Sequence, residues 1–293
     1  MAMATNNVLA KAGKVLDMMG CLHESLTPSA KRIADFVLAN PAEVTKLSIA
    51  ELSQAVNAGE ATIIRFCRTL GFKGFQDFKM ELAIELSNAN QNEKSILDTD
   101  VTPDDTAELI GQKLHNTINN VLAETYNLLD FAMLEQIASK IKTCRSVYFF
   151  GVGSSGVTAE DAKNKLMRIG FNVDALSNNH FMYMKASLLQ PGDVAIGISH
   201  SGTSEETTKA LMLAKAAGAC TAAITHNPRS PIAEYADYVL VNGNRQGKLQ
   251  GDSIGTKISQ LFVLDLIYAL LVKQDLAGTQ ANKIKTMSAL DYS

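Results

Sequence analysis

The two halves of this 293-residue chain follow different hydrophobic patterns, and this contrast constrains the fold more than any other feature. Residues up to about Leu86 read as short helices with no strand signal. From Val147 onward, short apolar runs alternate with helical segments, a pattern typical of a parallel sheet crossed by helices. We therefore expect an all-α domain at residues 1–86, a polar linker at 87–103 and an α/β domain at 104–293.

The α/β domain is predicted to contain about five parallel strands with helices on both faces, in a flavodoxin-like arrangement. The strands are expected at residues 147–150, 172–176, 194–198, 221–225 and 238–241, and the last helix at 253–273. Another helix is expected to begin at Thr102, a capping residue followed by Pro103 and two acids, and to end near Leu129.

Composition excludes several classes of protein. The chain has 27 basic and 30 acidic residues, a net charge of −3, so it is not a polycation, and its 46% hydrophobic content is wrong for a disordered protein. The four cysteines form no C-x-x-C pair, so we expect buried thiols in a reducing compartment, without metal or cofactor. The first ten residues do not resemble a signal peptide, and the apolar run at 261–272 is too short to span a bilayer. We expect a cytoplasmic protein.

Residues 48–70 form a helix-turn-helix pattern. Ser48 begins a capping box with Glu51, a tight turn follows at 57–59, and a second helix starts at Glu60. Ile63, Phe66, Cys67 and Leu70 form the buried stripe of that helix, so its arginines face outward, where arginine can fork to guanine or clamp phosphate. Solvated arginines on an ordinary helix pair remain the alternative. The candidate DNA-contacting residues are Ser48, Glu60, Thr62, Ile64, Arg65, Arg68 and Lys73, with Lys79 adding charge nearby.

Two hydroxyl-rich turns follow predicted strands. The first is GVGSSG at residues 151–156, and the second is SHSGTSE at 199–205. Glycine permits close backbone approach, serine donates hydrogen bonds, and the following helix N-terminus attracts an anion. The first turn is neither a Rossmann nor a Walker motif, so a nucleotide is disfavoured. Because ligands bind at the carboxyl ends of parallel strands, the pair predicts a phosphate site. Its candidate residues are Ser154, Ser155, Ser199, Ser201, Gly202, Thr203 and Ser204.

Three more residues are candidates for contact with the rest of a ligand. His180 follows the second strand, where it could bond a sugar hydroxyl or cap a helix. Lys257 lies in the first turn of the last helix, where the helix dipole disfavours a cation and therefore hints at an anionic partner. Glu205 could orient a hydroxyl or act as a base, although an acid at a helix start is the simpler interpretation of its position.

The residues quoted above resemble the RpiR family of bacterial transcriptional regulators over nearly the whole chain. The front part is similar to their helix-turn-helix through SIAEL at 48–52, ATIIRFCR at 61–68 and LGFKGF at 70–75. The rear part is similar to the sugar isomerase (SIS) domain through GVGSS at 151–155 and SHSGT at 199–203. The order of these motifs in one chain carries the resemblance.

The resemblance implies a phosphosugar-responsive DNA-binding protein that forms a homodimer or homotetramer. It implies that the serines matching the family pattern hold the phosphate: Ser154, Ser155, Ser199, Ser201 and Ser204. His180 and Lys257 match positions that face the sugar in the branch regulating sialic acid and amino-sugar catabolism. N-acetylmannosamine 6-phosphate is therefore the first choice of ligand, beside other hexose phosphates.

We expect a repressor of a sugar or amino-sugar catabolic operon that reads a palindromic operator. The alternative is a phosphosugar isomerase or lyase with an accessory helical domain, in which Glu205 or His180 is the base. The helix-turn-helix argues against that alternative, since it has no role in such an enzyme.

Overall fold

The computed structural model describes residues 15–89, 104–244 and 254–290. Its contacts divide the chain into two compact units, Met1–Asn120 and Val121–Ser293. Several expectations fall outside the described residues: most of the 87–103 linker, the helix start at Thr102, Ser253 and the absence of a signal peptide in the first ten residues. The helix expected to begin at Thr102 is described from Ala107, so the division at residue 120 falls within it.

The N-terminal unit is helical throughout its described residues, as the sequence predicts. A single apolar core holds it together, with Ile33, Leu52, Ile63 and Leu82 fully buried. A short 3₁₀ turn at His23–Ser25 follows the first helix. The helices are α1 (Val15–Leu22), α2 (Pro28–Ala39), α3 (Pro41–Val44), α4 (Ile49–Ala55), α5 (Glu60–Thr69), α6 (Phe75–Ala89) and the first part of α7 (Ala107–Leu128).

The helix-turn-helix consists of α4, a short turn and α5. Ser48 caps α4 by accepting a hydrogen bond from the Glu51 amide, while the Glu51 carboxylate accepts one from the Ser48 amide. In the turn, Asn57 has a φ of 46°, and the Ser53 hydroxyl donates to the Ala58 carbonyl at 2.7 Å. The capping box and the turn expected from sequence are therefore both present, and they fix where α5 begins.

The C-terminal unit contains a five-stranded parallel sheet. Its elements confirm the predicted strands to within one residue. They are α8 (Phe131–Thr143), β1 (Ser146–Phe150), α9 (Ser154–Arg168), β2 (Val173–Leu176), α10 (Asn179–Ser187), β3 (Asp193–Ile198), α11 (Glu205–Ala216), β4 (Cys220–Thr225), a 3₁₀ turn (Pro231–Tyr235), β5 (Tyr238–Val241), α12 (Ile254–Gln274) and α13 (Leu276–Ser288).

The strand order is β2-β1-β3-β4-β5, with every neighbouring pair parallel. This is the flavodoxin-like order. The chain adds β2 on one side of β1 and then β3, β4 and β5 on the other side, so the switch point of the sheet lies between β1 and β3. Helices α8, α9 and α12 cover one face of the sheet, and α10 and α11 cover the other. Alternating side chains supply the two cores: Phe149 packs on the first face and Phe150 on the second.

Helix α12 is a core helix. It is the only helix among the described residues that is long and apolar enough to cross a membrane. Val263, Leu264, Ile267 and Leu271, however, lie buried in the core on the first face of the sheet. Burial therefore accounts for its apolar composition.

The cysteines agree only in part with the expectation of burial. Cys21 and Cys67 are buried, whereas Cys144 and Cys220 are half-buried. Burial raises the pKa of the Cys67 thiol to about 12 and that of Cys144 to about 11. Because the thiolate is the reactive species, both side chains are poor nucleophiles at neutral pH.

Candidate functional site

Helix α5 presents a positively charged face to solvent. Ile63, Phe66 and Cys67 point into the core, and this burial leaves Arg65 and Arg68 exposed one turn apart. Neither arginine has an ion-pair partner among residues 15–89 and the rest of the described chain. Glu60 is exposed at the start of the helix, and Thr62 and Ile64 are half-exposed on the same side. This face of α5 is therefore exposed to solvent and carries two guanidinium groups that are unpaired within the described chain.

The flanking candidates divide into free and occupied groups. The Lys73 side chain is exposed just beyond α5, and its amide donates to Asp77 at 2.8 Å. The Ser48 oxygen accepts one hydrogen bond as the cap of α4, which leaves its hydroxyl proton and one lone pair for another partner. Lys79 also has a structural contact: its ammonium donates to the Leu47 carbonyl at 2.8 Å and lies over the Phe75 ring. It fastens α6 to the residue before Ser48 and keeps its positive charge, because a carbonyl partner does not neutralise an ammonium.

The two hydroxyl-rich turns follow adjacent strands at the switch point of the sheet. β1 pairs with β3, with Phe150 opposite Gly197, so residues 151–156 and 199–204 leave the same edge. Helices α9 and α11 begin there, and neither Gly153 nor Ser204 makes a side-chain capping hydrogen bond. Since the first amides of a helix have no intrahelical acceptor, both ends are suited to an anion.

In the first turn, the two serines have different surroundings. Ser154 is half-exposed at the first position of α9. Ser155 is buried, and its hydroxyl oxygen accepts from Gln260 Nε2 at 3.0 Å. The Gln260 Oε1 atom in turn accepts from the Thr158 hydroxyl at 2.9 Å. Ser155 is therefore held by α12, and its hydroxyl proton remains available to a ligand.

In the second turn, the hydroxyl groups already bond to one another. Ser201 Oγ and Thr203 Oγ1 lie 2.9 Å apart, both exposed. Ser204 donates to Glu206 at 3.2 Å, whereas Ser199 is buried at the end of β3. This arrangement concentrates donors at one small site, where an anion can replace the mutual bonds.

Gly202 is required where the second turn meets the segment after β4. Its φ is 69°, a left-handed conformation that side chains rarely adopt. A methyl group on Gly202 would overlap Ser230 and approach Thr225 Oγ1 to 2.8 Å. The Gly202 carbonyl also accepts from the Ile232 amide at 3.1 Å. The second hydroxyl-rich turn therefore packs closely against the segment that follows β4.

The remaining predicted ligand contacts lie near this edge. His180 is exposed at the start of α10, after β2, and Asn178 rather than His180 caps that helix. Lys257 is half-buried one turn before Gln260 on α12, so it shares a face with the residue that holds Ser155. It has no ion-pair partner among the described residues. Glu205 is exposed at the first position of α11.

Sequence reasoning missed the buried polar residues behind these turns. His200 stacks on His226 at 5.1 Å, and burial together with His226 lowers the pKa of His200 to about 3. Asn242 and Gln260 are fully buried. The sequence pattern gave little indication of these residues, because each is a single polar residue within or beside an apolar run. Arg229, in the segment that contacts Gly202, was also missed, and burial lowers its pKa.

A cavity of about 600 Å³ adjoins the first turn on its β2 side. The residues that line it include Gly153, Gly156 and Ser177 together with the carboxylates of Glu160 and Asp161. Carboxylates repel a phosphate, so this cavity is unsuited to one, and the carboxyl ends of β1 and β3 are the better candidate for an anion site.

Comparison with known proteins places both parts of the chain. The profile of the helix-turn-helix domain of the rpiR family matches residues 13–89, and that of the SIS domain matches 140–270. An HTH-type transcriptional regulator of Haemophilus influenzae is 57% identical over 96% of this chain and 98% of its own length. The chain belongs to the RpiR family of HTH-type transcriptional regulators. An HTH-type regulator of Caldanaerobacter subterraneus is 36% identical over 89% of this chain and 91% of its own.

Solved structures share the fold of this RpiR-family chain. The sugar isomerase domain of an RpiR transcription factor from Sphaerobacter thermophilus aligns with a TM-score of 0.56 and 26% identity, over 62% of this chain and 99% of that one. Vibrio vulnificus NanR complexed with ManNAc-6P aligns with a TM-score of 0.60 and 24% identity, over 94% and 97%. The HTH-plus-SIS organisation and the fold predicted from sequence are confirmed.

Proposed function

We propose that this RpiR-family regulator represses a sugar or amino-sugar catabolic operon and that a sugar phosphate bound in its SIS domain controls its affinity for operator DNA. The observation that best supports this proposal is the pair of hydroxyl-rich turns at the switch point between β1 and β3. Each turn leads into a helix without a side-chain cap, and the same chain contains a helix-turn-helix. An anion at that edge meets two helix N-termini and several hydroxyl donors at once.

The proposed DNA contacts are the residues on the open face of α5 and beside it. Arg65 and Arg68 supply the base or phosphate contacts, Ile64 touches a thymine methyl group, and Lys73 meets the backbone. Glu60, Thr62 and the Ser48 hydroxyl complete the surface. A symmetric dimer or tetramer presents two such faces to a palindromic operator.

The proposed effector site joins the two turns. The serines named above, with Gly202 and Thr203, surround the phosphate, while His180, Glu205 and Lys257 face the sugar. Two observations support the assignment of Lys257 to this site. Its ammonium has no ion-pair partner in the described chain, and the residue lies one turn from Gln260. NanR, which shares the fold, was solved with ManNAc-6P, so that compound is the first to test. No cofactor is required by this proposal.

A switch of this kind needs little energy. The effector changes operator affinity only by binding the two states of the protein unequally. A tenfold to hundredfold change corresponds to about 1.4–2.8 kcal/mol, which one or two charge-assisted hydrogen bonds supply.

The test is titration of fluorescent operator DNA with the purified protein, with and without ManNAc-6P, glucose 6-phosphate and fructose 6-phosphate. We expect one of these compounds to shift the operator Kd at least tenfold. A protein that binds operator equally well with all of them contradicts the effector proposal while leaving DNA binding intact.

An isomerase or lyase is the second candidate, because a solved protein described as a sugar-phosphate isomerase, from Listeria monocytogenes, shares the fold. It needs a base with a pKa near the operating pH. His200 is unsuited, since its pKa of about 3 makes it a weak base. Glu205 or His180 would have to serve. NMR of each sugar phosphate with the protein checks this, and we expect no turnover.

Two further proposals concern organisation. We place the functional boundary at the 87–103 linker, with residues 104–120 acting together with the SIS domain, whereas the contact-based division falls at residue 120. In limited proteolysis, the protease should cut between residues 87 and 103, and mass spectrometry of the fragments identifies the position.

As a regulator of transcription, the protein is expected to work in the cytoplasm.

A further inference from the structure

The carboxyl end of β5 forms the centre of a buried hydrogen-bond network behind the second turn. The amide nitrogen of Asn242 donates to Ser259 Oγ on α12 at 2.7 Å and to the Gly243 carbonyl at 3.3 Å. It also lies 3.2 Å from His200 Nδ1, within the second turn, so its two hydrogens are shared among three contacts. Asn242 therefore links the second hydroxyl-rich turn to α12.

The direction of these bonds follows from the partners. The Ser259 hydroxyl already donates to the Thr256 carbonyl at 2.9 Å, so its oxygen has to accept from Asn242. The Gly243 carbonyl can only accept, which fixes the same orientation of the amide. An amide N–H group beside His200 Nδ1 favours the neutral tautomer that carries its proton on Nε2. Asn242 therefore contacts a side chain that lies between Ser199 and Ser201.

The next two residues connect this network to α7. The Gly243 amide donates to Thr125 Oγ1 at 3.0 Å, and the Asn244 amide donates to Glu124 Oε2 at 2.8 Å. The Thr125 hydroxyl donates to the Val121 carbonyl at 2.6 Å, so its oxygen is free to accept. A methyl group on Gly243 would come within 2.8 Å of the Thr125 nitrogen, which shows how tightly α7 packs here.

We infer that residues 242–244 are the relay through which the second hydroxyl turn acts on α7. This inference rests on the proposed function. An anion that rearranges Ser199 and Ser201 also moves His200, and buried directional bonds make Asn242 and the two following amides move with it. Helix α7 continues before Val121 into the N-terminal unit. Asn242 and Thr125 are therefore positioning residues that touch neither effector nor DNA.

The decisive variant is Thr125→Val, which keeps the shape of the side chain and removes the acceptor. We expect its Kd for ManNAc-6P, measured by calorimetry, and its operator Kd without effector to stay within threefold of the wild type. The ratio of operator Kd with and without ManNAc-6P should fall at least fivefold. Thr125→Ser keeps the oxygen and should restore the wild-type ratio.

Thr221→Val is the matched control. Thr221 is also a buried threonine, donating to the Tyr235 carbonyl at 2.8 Å, but it lies at the amino end of β4. It should leave the ratio unchanged. If Thr125→Val fails to fold by circular dichroism, Glu124→Ala carries the same test, because it removes the other acceptor on α7.

A wild-type response in the folded α7 variant overturns the relay. Equal loss of the ratio in Thr221→Val also overturns it, because any buried threonine would then have the same effect. A wild-type protein that responds to no sugar phosphate defeats the proposed function itself, and that failure is visible before any variant is made.

Discussion

The α5 surface and the β1–β3 edge use polar groups in opposite ways. In the helix-turn-helix, hydroxyl groups are consumed by the fold, as in the Ser48 capping box and the Ser53 bond across the turn, and the arginines stay exposed. At the sheet edge, helix starts are left uncapped and the hydroxyls gather beside them. Exposed cations suit a long polyanion, whereas converging neutral donors suit one small anion.

The largest expected effect is on DNA binding. Replacing both Arg65 and Arg68 with alanine should weaken operator binding more than a hundredfold, since each good arginine contact contributes about 1–3 kcal/mol. Binding of ManNAc-6P should be unchanged. Fluorescence anisotropy measures the first quantity and calorimetry the second.

Arg168→Ala is the control for this pair, because Arg168 is exposed in the last turn of α9, in the other unit. The comparison between the two regions fails if the control weakens operator binding as much as the double variant does.

The next effect tests the sheet edge. Ser199→Ala combined with Ser201→Ala should weaken sugar phosphate binding tenfold or more, because hydrogen bonds to charged groups contribute about 1.5–3 kcal/mol each. Operator affinity without effector should not change. Ser187→Ala, an exposed serine at the end of α10, serves as the matched control in the same titrations. Loss of both activities in the double variant would mean that the two regions are not separable.

Gly202→Ala should reduce stability rather than alter one contact. The new methyl group meets Ser230 and forces a left-handed residue, so we expect a loss of about 1–3 kcal/mol and a lower melting temperature. Gly111→Ala on α7 is the contrasting variant, since no atom of the described residues, apart from its chain neighbours and the backbone of its own helix, lies within 4 Å of the place its new methyl group would take. It should hold or raise the melting temperature, because alanine favours helix. Equal melting temperatures for the two variants would argue against a tightly packed edge.

The smallest effect concerns pH and the N-terminal unit. Glu85 accepts hydrogen bonds from the Val15 and Leu16 amides at 2.7 and 3.2 Å, and burial raises its pKa to about 7. The pKa of Glu85 in the folded protein lies above its ordinary value. The contribution of this carboxyl group to the free energy of unfolding is therefore fully present below about pH 4.5 and is lost as pH rises through about 7. Glu85→Gln should remove this dependence, on the order of 1 kcal/mol after solvent screening. Denaturant unfolding at pH 5 and pH 8 measures it, and the exposed Glu43→Gln should behave as the wild type.

Sequence periodicity captured the elements whose burial repeats regularly. The buried stripe of α5, the capping box and all five strands are examples, because each follows from local spacing. Helix α13 was not anticipated, since its described residues bury only Thr279 and show no apolar stripe. Sequence could also not distinguish a free lysine from Lys79, whose carbonyl partner lies 32 residues earlier.

The candidate site was anticipated through its hydroxyl groups and not through its support. Two similar turns after two apolar runs predict adjacent loops once the sheet is parallel. The partners of those loops come from distant positions: Gln260 reaches Ser155 across 105 residues, and Asn242 reaches His200 across 42. Such pairs depend on tertiary packing, which single-residue patterns do not encode.

The separate apolar core of the N-terminal unit also bears on protein engineering. A segment that buries its own side chains and caps its own helix can be exchanged as a cassette among relatives. Joining the first 89 residues of one regulator to another from residue 90 onward should produce sensors whose promoter choice and inducer choice are set independently.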